Sequence, residues 1–299
     1  MLAAILPLME LWFLLAIGSA LAGGIGSFTH KVAAVKNYDI AVLSVYASMI
    51  SAFMLLCCTL YFAGMEHFWE FSTVIALAAA VTTFLTLVLK IKSLRLIDAT
   101  LFFPLYKVSG PFLTILLGVL VFRESFTPIE WVGLVTTLCV PLLLITRSEN
   151  LRQKNLVLGL QILLIASITA AVSIGLSKYG TNIANNLWLF LLVSEIFTVA
   201  SAFLLLIQKH RTATFTFFKT ESSPAALWLV LIMGITQSLS FMTIMFAFAT
   251  GGTLAIVYTI SSLYILIPII LSIVIYKEHW NARKAIAIVL SIAALALLK

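Results

Sequence analysis

Ten stretches of some twenty apolar residues follow one another along the 299-residue chain, and they leave little of it over. A backbone in hydrocarbon must satisfy its own N–H and C=O groups, so runs of that length with few charges are confined to helices that cross a bilayer. They fall at roughly 8–29, 40–63, 71–90, 97–121, 128–146, 156–178, 186–207, 224–248, 252–275 and 280–298. Hydrophobic residues make up 63% of the chain and charged ones 10%, against about a quarter charged in soluble domains. The fold class is therefore an all-α polytopic membrane protein. Its longest polar connector, 208–223, is too short for a soluble domain. The opening "MLAAILPLMELWFLLAIG" lacks the basic flank of a signal peptide and stays apolar to about residue 28, so it reads as a retained first span.

Charge gives the orientation. Fourteen of the 18 Lys and Arg residues lie in the odd-numbered connectors, whereas Arg123, Lys178 and Lys299 are the only ones in the even connectors and the tails. An excess of basic residues marks the cytoplasmic side, which places both termini outside the cell membrane. The net charge of +7 is spread over these connectors rather than gathered in one patch, so it is no footprint for nucleic acid. Cys57, Cys58 and Cys139 have neither disulfide nor metal spacing and read as small apolar packing residues.

The chain repeats itself. "THKVAAVKN" at the end of the first span answers "LSKYGTNIAN" at the end of the sixth, so that Lys31 matches Lys178. "SAFMLL" at 51–56 answers "SAFLLL" at 201–206, and "LGVLVFRES" at 117–125 answers "LSIVIYKEH" at 271–279, aligning Arg123–Glu124 with Lys277–Glu278. Five spans per half is an odd number, so tandem halves 1–149 and 150–299 must be inverted relative to each other. Two inverted five-helix repeats place a solute site at their interface near the midplane.

These features resemble the drug/metabolite transporter superfamily, and specifically its EamA-type ten-helix members: five-helix halves, a lysine closing the first helix, a proline-containing fourth helix, then a basic–Glu pair before a short fifth. The likeness runs over residues 8–298, although Pro268 sits later in its half than Pro111 does. It implies a secondary transporter of a small organic metabolite, an amino acid or organic anion, moved across the plasma membrane and most often exported. A lipid or amphiphile flippase of the same fold is the alternative. With no ATP-binding motif in the sequence, the driving force would be protons or a counter-solute, with no cofactor and no metal. The bilayer and the solute are the implied partners of a monomer or homodimer.

One lysine stands inside a span. In "FFPLYKVSGPF", Lys107 lies about ten residues from the start of the fourth run, or roughly 15 Å at 1.5 Å per residue, too deep for its stem to reach the headgroups. Thr100, Pro104, Lys107, Pro111, Thr114 and Gly118 share one helical face, and a shift of 154 carries this stripe onto Tyr258, Ser261, Ile265, Pro268 and Ser272. The reading is an opened helix lining a wet pocket, because carbonyls freed by proline are tolerated at depth only beside protein or water. There Lys107 would bind an anionic group of the solute, titrate during the cycle, or simply pair with a buried acid. Intramembrane ionisable residues mark function by default.

Glu195 is the second deep charge, a proton-coupling group, a partner of Lys107, or a structural acid tied to neighbouring hydroxyls. Gln237, Ser240, Tyr258 and Ser261 complete the expected binding set with Lys107 and Thr114. Thr83 and Thr86 share a face with Lys90. For all these hydroxyl and amide groups, hydrogen bonding between helices without solute is the competing role. Pro104, Gly110, Pro111, Gly251 and Gly252 are the expected flex points. Gly18, Ala22 and Gly26 read as a close helix contact. Glu10, Glu124 and Glu278 read as charges at the membrane faces, and "TPIE" at 127–130 as a capping box. All four histidines lie in or beside connectors, and no HExxH or GxSxG motif is present, which excludes the common embedded hydrolases. No TVGYG-like carbonyl filter points to a channel.

Overall fold

The computed structural model describes residues 8–64, 70–97, 99–143, 155–209, 224–277 and 280–299. They form helices α1 (Leu8–Val35), α2 (Ile40–Phe62), α3 (Phe71–Leu94), α4 (Ala99–Leu120), α5 (Pro128–Leu143), α6 (Leu156–Ile183), α7 (Leu187–Lys209), α8 (Pro224–Ala249), an interrupted α9 (Leu254–Tyr276) and α10 (Ala282–Leu297). Eight of these are long and apolar enough to cross a membrane, whereas α5 and α10 have 16 residues each. Sixteen residues rise about 24 Å, short of a hydrocarbon core of about 30 Å. Ten helices stand where ten spans were expected; the end of the fifth expected span, 144–146, lies outside the described residues, and α10 is the short one.

The starts of the helices follow local chemistry. The Asp39 side chain accepts from the Ala41 backbone N–H and begins α2. At α5 the capping box forms: the Thr127 N–H donates to Glu130 (2.6 Å), and the Glu130 N–H donates to the Thr127 hydroxyl (3.3 Å). The Asn281 side chain caps α10 through the Lys284 N–H (2.9 Å).

Helix packing joins the first five helices to the last five in matching pairs. α3 lies along α6 as α1 lies along α8, α2 meets α8 as α3 meets α7, and α4 meets α6 as α1 meets α9. α5 packs on α10 at the periphery, with Gly133 so close that a Cβ there would stand 2.8 Å from Leu298. The largest buried cluster includes Phe13, Leu55, Phe190, Met245, Phe248 and Ile260.

Small residues set the closest crossings. Along α1, a Cβ on Gly26 would lie 2.9 Å from the Thr236 hydroxyl, and one on Gly18 would lie 3.7 Å from Thr243, which is the close contact with α8 read from the glycine spacing. The α2–α8 crossing is tighter: a Cβ on Gly234 would sit 2.7 Å from the Ala47 carbonyl oxygen and 2.7 Å from Ile50. Since backbone cannot yield as a side chain can, Gly234→Val is expected to lose about 1–3 kcal/mol or more. A lower melting temperature of the purified protein in detergent, with Gly18→Ala close to wild type, is the measurement.

The prolines act differently from expectation. α4 is continuous α-helix through Pro104 and Pro111, so the opened fourth helix is not observed. Each proline removes one ladder donor, but neighbours hold the segment: the Ser109 hydroxyl is tied to Ser167 of α6 (2.6 Å), and the Thr114 hydroxyl donates to the Gly110 carbonyl (3.0 Å). The interruption is instead in α9, where Leu263–Ile265 forms a 3-10 turn between Leu254–Ser262 and Leu266–Tyr276. Pro268 has no N–H to offer the Tyr264 carbonyl four residues back, which accounts for the break at that point. Gly251 takes a positive φ of 97° in the α8–α9 turn, and Gly252 approaches the Ala247 carbonyl so closely that a Cβ would stand 2.7 Å from it.

Candidate functional site

Two cavities lie side by side within the bundle. The first, about 350 Å3, is walled by α3 and α4 on one side and by α6, α7, α8 and α9 on the other. The second, about 340 Å3, lies between α1, α8 and α9. Gln237, Phe241 and Ile244 of α8 face both. α5 and α10 contribute to neither.

Glu195 lines the first cavity and is only 3% exposed. The Gln237 amide donates to one of its oxygens (2.7 Å) and to the Ser48 hydroxyl (3.2 Å), linking α7, α8 and α2. Tyr258 stands on the same wall, with its phenol oxygen beside Gly110, where a Cβ would lie 3.8 Å away in ordinary contact. The hydroxyls of Thr83 and Thr86 bond to Ser173 (2.6 Å) and Thr169 (2.8 Å), so they tie α3 to α6 while facing the same space.

Ser240 and Ser261 line the second cavity with Gln237, but they are engaged with Ser19 of α1: its hydroxyl lies 3.0 Å from that of Ser261, and the Ser240 hydroxyl donates to the Ser19 carbonyl (3.0 Å). Thr114 is buried with its hydroxyl turned to its own helix, and it faces neither cavity. Lys107 is half-buried; its ammonium donates to the Tyr264 hydroxyl and lies 3.6 Å from the centre of that ring. It lines neither cavity itself, whereas Tyr264 lines the second. Lys107 and Glu195 form no ion pair in this structure.

A residue not singled out as a site from the sequence joins the set. Lys90 was counted with the basic connector, but α3 runs on to Leu94 and carries Lys90 onto the wall of the first cavity, 4.2 Å from the centre of the Tyr106 ring. The available signal was spacing, since Thr83, Thr86 and Lys90 fall on one helical face.

Glu124 is not a solvated charge at the membrane face. It is buried beside Gly118, where a Cβ would stand 2.5 Å from its carboxylate, and it pairs with Lys178 at 2.5 Å, the two side chains 6% and 10% exposed. It also accepts from the N–H groups of Leu254 (2.5 Å) and Ala255 (3.1 Å), so it caps α9. Arg123, at a φ of 53°, turns the chain after α4 to bring Glu124 back into the bundle. One carboxylate thus ties α4 to α6 and α9. Lys31, the repeat partner of Lys178, donates to the Ser272 hydroxyl of α9 (2.7 Å). Glu278 and the side chains of Glu10 and Thr100 lie outside the described residues.

The comparison that decides the family covers the helices α1 to α5. Residues 10–146 match the model of the EamA-like transporter family. This segment belongs to that family, within the drug/metabolite transporter superfamily. The EamA-like unit supplies α3 and α4 to the first cavity and α1 to the second, and the chain carries eight helices long and apolar enough to cross a membrane among the described residues. No curated protein matches the sequence significantly. A solved structure titled "Crystal structure of protein" shares the fold at a TM-score of 0.71, covering 94% of this chain and 95% of its own at 14% identity.

Proposed function

We propose that the protein is a secondary-active carrier that moves a small organic metabolite, an amino acid or an organic anion, out of the cell by alternating access. The observation that carries this reading is the 350 Å3 cavity walled by both sets of five helices and holding both Lys90 and Glu195. A cavity of this size suits a small organic solute, and the deep ionisable groups give it polar purchase.

In this reading residues 1–149 and 150–299 are inverted repeats that rock against each other about the cavity, with both termini outside and either protons or a counter-solute as the driving partner. Several observations support it. The helix pairs are exchanged when each helix is replaced by the one five later, and Arg123 and Lys277 adopt the same left-handed conformation at φ 53° and 52°. Tyr258 and Gln237 are the binding residues of the cavity wall, Lys107 acts through its contact with Tyr264, Ser240 and Ser261 line the second cavity, and Thr114 is a helix tie. Gly251, with Gly252 beside it, and the break in α9 are the points that flex. Pro104, Gly110 and Pro111 lie in the continuous helix α4 and are not among these points.

Purified protein in liposomes, given labelled amino acids and organic anions, is expected to catalyse saturable counterflow of at least one of them, absent from protein-free vesicles. Transbilayer movement of labelled lipid without movement of any solute would replace the carrier reading with a flippase.

A further inference from the structure

Two lysines inside the bundle face aromatic rings instead of acids. Lys90 lies over Tyr106 and Lys107 over Tyr264, and among the described residues neither has a carboxylate partner. The ring face attracts an ammonium but is no counter-ion. Each lysine is half-buried, and an arriving anion supplies the charge partner that the ring does not.

The two sites form one cluster. Tyr106 and Lys107 are consecutive residues of α4, and Tyr258 and Tyr264 both belong to α9, so the two cation–ring pairs are joined through one stretch of α4 packed on α9. Lys90, Tyr106 and Tyr258 open onto the first cavity, and Tyr264 onto the second. Because Lys107 donates to the Tyr264 oxygen, the Tyr264 O–H proton is left free to donate elsewhere. Two cations are matched better by two negative charges than by one. Glu195 shares the first cavity, but its carboxylate is occupied by the Gln237 amide.

We propose that Lys90 and Lys107, with Tyr106, Tyr258 and Tyr264 between them, form a subsite for a solute bearing two negative charges on oxygen, either a phosphate monoester or a pair of carboxylates. The subsite rests on the carrier reading and narrows its solute to an organic dianion.

The test is binding to the purified full-length protein in detergent, followed by calorimetry at constant ionic strength. The probes are glycerol phosphate, succinate, acetate and glycine, at about pH 7, above the second phosphate pKa of about 6. A hydrogen bond to a charged group is worth about 1.5–3 kcal/mol, so one dianion is expected to bind about tenfold or more tighter than acetate or glycine. Lys90→Gln and Lys107→Gln should each erase that preference, whereas Lys90→Arg and Lys107→Arg should keep most of it. Tighter binding of glycerol phosphate identifies a phosphoryl headgroup, and tighter binding of succinate identifies paired carboxylates. Glycine binding as tightly as the dianions, no binding of either dianion to wild type, or full selectivity in the Gln variants overturns the subsite. If a Gln variant does not fold, the order of affinities in wild type decides. Binding in detergent requires no transport, so a failure here leaves the carrier reading to the flux experiment.

Discussion

Glu124→Ala is expected to destabilise the protein by about 3–5 kcal/mol, the cost of leaving one member of a buried ion pair without its partner. The loss has three parts in the structure. Lys178 keeps its charge in a site that is 10% exposed, the N–H groups of Leu254 and Ala255 lose their acceptor, and α4 loses its link to α6 and α9. Glu124→Gln separates these parts, since a neutral amide oxygen still accepts from the α9 backbone while the ion pair is gone. The double variant Glu124→Gln with Lys178→Met removes the stranded cation and is expected to recover stability over Glu124→Ala. The measurement is the melting temperature of each variant in detergent, with monodispersity as the check on folding. Wild-type stability of Glu124→Ala would return this residue to a simple surface role.

The spans were legible because lipid restricts the backbone so narrowly: apolar length alone placed α1 to α10 within a few residues, apart from α1, α3 and α6, which run past their apolar segments. Those extensions explain what was missed. Lys90 resembles connector charge when counted by composition, yet α3 continues to Leu94, and the helix carries the ammonium back over Tyr106. Glu124 was misjudged for a related reason. Its place after an apolar run marks the end of a helix, but the positive φ of Arg123 that folds it inward leaves no trace in hydropathy. Gln237, Tyr258 and Glu195 share a cavity wall as their depth in the membrane suggested. Thr114, Ser240 and Ser261 show why depth alone is insufficient, because hydroxyls in lipid bond to carbonyls and neighbouring helices as readily as to a solute. The two prolines in α4 had the strongest appearance of a break, yet that helix stays whole, and the single proline of α9 marks the interrupted one.

Glu195→Gln is expected to separate solute exchange from solute accumulation. The acid is buried against Gln237 on the cavity wall, and of the described acids it alone lines either cavity. In the substituted side chain the amide carbonyl still accepts from the Gln237 amide, so the shape of the wall and its link to α8 and α2 persist. What disappears is a group that gains and loses a proton. If that proton couples transport, counterflow at equal pH continues near the wild-type rate, because exchange of solute for solute needs no net proton movement. Accumulation driven by a pH gradient across the liposome falls to the level of protein-free vesicles. Equal loss of both fluxes would make Glu195 part of the binding surface or of the packing, and unchanged accumulation would assign the driving force to a counter-solute. Among these results only the separated one is specific to protonation, since a damaged cavity lowers exchange and accumulation together.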